Sequence, residues 1–189
     1  MNAELSNLIT GLESVSADTQ QKFAGLTNEQ LNWKPAAESW SVGQCFDHLV
    51  VSNSGMLSKI ADLVEGKHKT TVFERLPFLP RFFGNFLVKA VSPENPKKIK
   101  NPGIFDPAQS DVNADVIEKF LEDQKKIAAI MQASAGLDLE KTIMTSPVAA
   151  FITYSLLDGY RVIVYHEKRH LLQAERVMQA DGFPGKADL

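Results

Sequence analysis

Cysteine is nearly absent: Cys45 is the one cysteine in 189 residues. No disulfide framework can form within the chain, which fits a reducing compartment. Long hydrophobic runs are missing as well. No segment approaches the roughly 18 uninterrupted apolar residues that a spanning helix needs. The opening "MNAELSNLIT" carries Glu4 and no basic start followed by an apolar run, so it does not read as a signal peptide. Excess charge of either sign is lacking too. The net charge of −3 gives no reason to expect a nucleic-acid partner or an anionic membrane, and without a long apolar run no stable membrane insertion is expected. Period-two alternation of useful length is absent, which argues against an extended sheet. What remains is 44% hydrophobic and 23% charged, a globular composition suited to one cytoplasmic domain over residues 1–189.

Helical periodicity dominates. Leu5, Leu8, Ile9, Leu12, Val15, Thr19 and Phe23 recur at three- and four-residue steps, which predicts a helix over about 4–24 stopped by Gly25. "SWSVGQ" opens the next one. Ser41 and Gln44 form a capping box, Trp40 is placed to staple onto Cys45, and Gly66 ends the helix. "FDPAQ" predicts a third start, with Asp106 as cap, Pro107 at the first helical position and Gln109 completing a box; its stripe runs from Val112 to Met131. The fourth opens near 153–155, assisted by Asp158, and stops at "DGFPG". Before it, "SPVAAFITY" reads as a loop. The expected fold is all-α, a four-helix bundle.

Helices 2 and 3 are joined by a long crossover, 67–105. Its middle, "LPFLPRFFGNFLVKAV", is apolar and expected to be partly helical; its end, "SPENPKKIKNPGIFDP", is proline-rich and expected to be irregular. Eight Lys or Arg against two Glu make it locally +6, while the rest of the chain carries −9. Three roles are open to it: a surface connection, a wall for an anionic small molecule, or a basic aromatic segment that touches a membrane.

Three of the four histidines point inward. His166 and His170 are four apart, so they stack on one face of helix 4, in a row with Ile163 and Val177. His48 follows the helix 2 cap by seven residues and shares its face with Cys45, Leu49 and Ser52. Three buried neutral imidazoles each need a partner. A divalent metal supplies one, and three histidines with an open position are a known catalytic arrangement. His68, in "EGKHKTT", reads as exposed.

"HEKRH" also fits the H-E-x-x-H pattern of zinc peptidases. Those need a third ligand downstream, but Gln173 and Arg176 stand where the extended motif has glycine and histidine, and only nineteen residues follow His170. The peptidase reading is set aside and the third ligand is sought upstream, at His48. Glu167, about 100° around the helix from His166, is the candidate general base or supporting acceptor, although a solvated charge is the simpler reading. Cys45 reads as a core filler rather than a fourth ligand or reactive thiol. Lys168 and Arg169 read as surface residues, with Arg161 a further cation for an anionic cofactor.

"WKPAAESWSVGQCFDHLVVSN", "NPGIFDP" and "YHEKRHLLQAERVM", in that order and spacing, resemble the DinB/YfiT-like superfamily of metal-dependent enzymes over nearly the whole chain. The resemblance implies a DinB-like four-helix bundle with a crossover and a nickel or zinc site at His48, His166 and His170. It also implies a homodimer, and an activity such as S-transfer of a low-molecular-weight thiol to a small-molecule substrate. A metal-dependent hydrolase and a non-catalytic metal-binding bundle remain alternatives.

Overall fold

The computed structural model describes residues 3–97, 103–108 and 111–185. Those residues are mostly helical: α1 (Ala3–Lys22), α2 (Asn28–Asn32), α3 (Val42–Val64), α4 (Leu79–Val91), α5 (Val116–Ala133) and α6 (Leu156–Gln179). Two short strands, β1 (Ile143–Thr145) and β2 (Thr153–Ser155), pair antiparallel with Met144 opposite Tyr154.

The capping chemistry explains where α3 begins and ends. The Ser41 hydroxyl accepts from Gln44 N at 3.1 Å while the Gln44 side chain accepts from Ser41 N at 3.2 Å. At the other end Gly66 takes φ +71°, a left-handed conformation glycine adopts without strain, and Lys67 N closes back on Asp62 O at 2.8 Å. The apolar stripes meet as expected. α3 packs on α5 and α6, and α1 packs on the same two helices. Phe46 of α3 lies edge-on to Phe23 and Phe120, with ring centroids 5.1 and 5.2 Å away.

Two expectations need correction. α5 does not open at Asp106; it begins at Val116, after Asp115. On either side of the undescribed 109–110, Ala108 and Val112 bond to other elements. Ala108 N donates to Asp47 at 2.7 Å and Ala108 O accepts from Gln44 at 2.8 Å. Val112 N donates to Asn32 Oδ1 at 2.6 Å, and Val112 O accepts from Asn32 Nδ2 at 3.0 Å. Those bonds satisfy the backbone outside a helix. Gln109, the other half of the expected box, lies outside the described residues. The second correction is the hairpin: part of the expected loop is β2, and α6 starts one residue later, capped by Ser155 Oγ accepting from Asp158 N at 3.0 Å. Strands of three residues are too short to show a period.

The crossover is partly helical, as its apolar middle suggested. α4 packs on β2 and α6. Gly84 permits this: a Cβ there would collide with the Asp158 carboxylate.

Candidate metal centre

α3 and α6 bring His48, His166 and His170 together. One ring nitrogen from each lies within 4.8 Å of the other two. Among the described residues this is the one such convergence of histidine, cysteine and carboxylate groups. His48 and His170 are 2% and 8% exposed, and His166 is partly buried.

The hydrogen bonds set the tautomer of His48. Its Nδ1 is 2.6 Å from the Phe105 carbonyl, which can only accept, so Nδ1 carries the proton and Nε2 carries the lone pair. That Nε2 is 3.1 Å from His166 Nε2. Two imidazole nitrogens at this distance share either one proton or one cation. His170 Nδ1 is buried without a hydrogen-bond partner, an arrangement that costs stability in the bare protein.

Burial keeps all three imidazoles neutral. It lowers the pKa of His48, against smaller opposing effects of the Phe105 carbonyl, Asp106 and Asp47. His166 is lowered by burial and then by His48 and Arg169. His170 falls well below the usual range through burial and the neighbouring His166 and His48, with Gln173 opposing. Neutral imidazole is the form that binds a metal. The donor set therefore suits a divalent metal ion.

Trp40 walls the site, stacked on His170 at 5.6 Å and 18° and tilted over His48 at 5.0 Å. It also packs against the core cluster that contains Cys45, where the sequence placed it as a staple. Its position just outside the Ser41 cap was visible, but the direction of the indole was not. Cys45 is buried away from the three-histidine group, its thiol pushed up to about 12 by burial.

Glu167 is not a solvated charge. It is 0% exposed, and its Oε1 accepts from Asn53 Nδ2 and Gln124 Nε2, each at 2.8 Å. Burial raises its pKa to about 7, with both amides opposing. Its hydrogen bonds tie α6 to α3 and α5 instead of reaching the imidazoles. The amphipathic pattern missed this because Asn53 and Gln124 are polar positions that complement it only across the fold.

Arg169 is not a free surface cation either. Nη1 donates to the carbonyls of Ser92 and Asn95 at 3.1 and 2.8 Å, and Nη2 to that of Lys97 at 2.6 Å. It fastens the crossover beside the site. Arg161 is occupied by Glu4 and Asp158. His68 is half-buried against Glu74, with Nε2 2.9 Å from Oε2, not simply exposed.

A mostly helical chain with a buried three-histidine cluster on two of its long helices defines a class compatible with metal binding. The chain belongs to the DinB superfamily, whose family model matches residues 12–174. It is similar to "Uncharacterized protein YuaE" of Bacillus subtilis (strain 168), 23% identical over 163 residues that cover 86% of this chain and 91% of the relative. No solved structure matches it.

Proposed function

We propose that the protein is a metal-dependent enzyme whose ion is held by His48, His166 and His170, and that it transfers a low-molecular-weight thiol to a small electrophile. The observation that carries this reading is the buried convergence of three neutral imidazoles with no carboxylate among them. A divalent ion bound there would lower the pKa of a thiol and leave positions for substrate. The protein's own residues do the rest. The Phe105 carbonyl holds His48 in the tautomer that turns Nε2 toward the other rings. Trp40 shields His48 and His170 on one side. Arg169 holds 92–97 in place beside the site. In the net reaction the thiol loses its proton, a carbon–sulfur bond forms, and the electrophile's leaving group departs.

Metal analysis of protein purified without chelators tests the site, and titration of the cobalt- or nickel-loaded protein with biological thiols tests the chemistry. The expected result is one ion per chain and a thiol-dependent change in the visible spectrum. A loaded protein that ignores every thiol overturns the transfer and leaves water as the nucleophile of a hydrolase, or a non-catalytic centre. A protein that takes up no metal overturns all three.

A further inference from the structure

The exposed side of α4 is unlike the rest of the surface. Phe78, Phe82 and Phe86, four residues apart, form one row along it and are 64%, 62% and 60% exposed. The packing forces this. Pro80 and Gly84 are buried on the opposite side, Leu87 packs against the main core, and Gly84 approaches Asp158 too closely for any side chain. With that side docked, the phenylalanine row must face outward. The apolar surface continues beyond the helix. Phe82 packs on Phe83 at 5.2 Å, and Phe83 on the exposed Phe151 at 6.0 Å, while Val72 and Leu76 extend it at the other end. Apolar surface of this extent marks a contact site.

The charges choose the occupant. Arg75, Arg81 and Lys89 are exposed on or beside the same row, and α4 contains no acidic residue. Glu74 is turned inward, held by His68, Thr71 and Thr145. Glu94, just past the helix, is exposed and accepts from the Ser92 hydroxyl, one acid beside three cations. The crossover 67–105 carries +6 while the remaining chain carries −9. A second copy laid face to face would bring Arg75, Arg81 and Lys89 against like charges. A bilayer rich in anionic lipid accommodates both features, because phenyl rings enter the acyl boundary while Arg and Lys meet the headgroup phosphates.

We propose that the Phe78–Phe82–Phe86 face of α4, with Arg75, Arg81 and Lys89, docks the protein peripherally on an anionic lipid bilayer. The thirteen-residue α4 spans only about 20 Å, and no described helix is long and apolar enough to cross a membrane. It lies on the surface as part of the folded protein.

Co-sedimentation of the full chain with vesicles tests this. One set is phosphatidylcholine alone; the other is phosphatidylcholine with an equal part of phosphatidylglycerol. Binding is expected on the anionic vesicles only, weakening as salt rises. F82S/F86S should lower the partition coefficient on the order of tenfold. Arg81→Gln and Lys89→Gln should each lower it about fivefold. These side chains are exposed, so unchanged circular dichroism should accompany each loss. No binding, or equal binding to both vesicle sets, overturns the proposal. So does a dimer in sedimentation velocity that F82S/F86S makes monomeric, since a second copy would then occupy the face.

Discussion

His68 and His170 both sit in the folded interior or at its margin, yet their surroundings are opposite. The His68 ring meets Glu74, a buried carboxylate that also accepts from Thr71 N at 3.0 Å and from the Thr145 hydroxyl. That knot joins the start of the crossover to β1, and its polar groups serve one another. His170 meets His48 and His166, with ring centroids 4.7 and 4.6 Å away, and its Nδ1 has no partner. A buried imidazole beside a carboxylate is complete. Three imidazoles beside each other have donor and acceptor capacity that they cannot use among themselves, and a cation completes them. Both are histidines, His68 half-buried and His170 buried; the neighbour decides the meaning.

Removing a ring is the strongest way to break this contrast. His48→Ala, His166→Ala and His170→Ala should each weaken metal binding at least about a hundredfold, read by calorimetric titration, with helicity unchanged. His68→Ala should bind metal as wild type does. Loss of metal in that variant would erase the distinction drawn here.

Glu74→Ala should act in the reverse sense. It strips the partner from His68, Thr71 and Thr145 and should cost about 2 kcal/mol in urea denaturation, while leaving metal affinity unchanged. Ser41→Ala should cost about 1 kcal/mol through loss of the α3 cap. It also tests whether anchoring of the helix matters to the centre: a fall in metal affinity would show that the His48 position depends on the cap next to Trp40.

The smallest expected effect belongs to Cys45, one turn before His48. Burial raises its thiol pKa from 9.0 to about 12, so the folded protein holds the proton where the unfolded chain gives it up. The associated stability is present below pH 9 and is lost as pH rises through the folded value. Alkylation of the native protein should stay slow as pH passes 9, while the urea-unfolded chain reacts rapidly. Metal should not alter the native rate. Fast native alkylation that metal suppresses would make Cys45 a member of the centre.

Much of this contrast was legible along the chain. Four-residue spacing places His166 and His170 on one face whatever the fold, and the capping box at Ser41 puts His48 two turns inside a helix with an apolar stripe. Inward imidazoles on two helices follow from periodicity. The polar partners did not follow. Glu167 looked solvated because its acceptors' donors, Asn53 and Gln124, are 114 and 43 residues away. Arg169 looked like a surface cation because its partners are backbone carbonyls, which every residue carries and no pattern distinguishes. The opening of α5 was misplaced for a related reason: Asp106 and Pro107 are good helix-start residues, but side chains from α2 and α3 satisfy the backbone around them first.

The sequence alone determined the long helical segments α1, α3 and α6, the α3 boundaries and the inward direction of three histidines, because these rest on side chains within a turn or two of one another. Only the tertiary structure decided which buried polar group answers which. It turned Trp40 onto the imidazoles, aimed the His48 Nδ1–H at the Phe105 carbonyl, hid Glu167, and left Phe78, Phe82 and Phe86 outside. Each of those outcomes depends on groups far apart in the chain, and distance along the chain carries no direction in space until the elements pack.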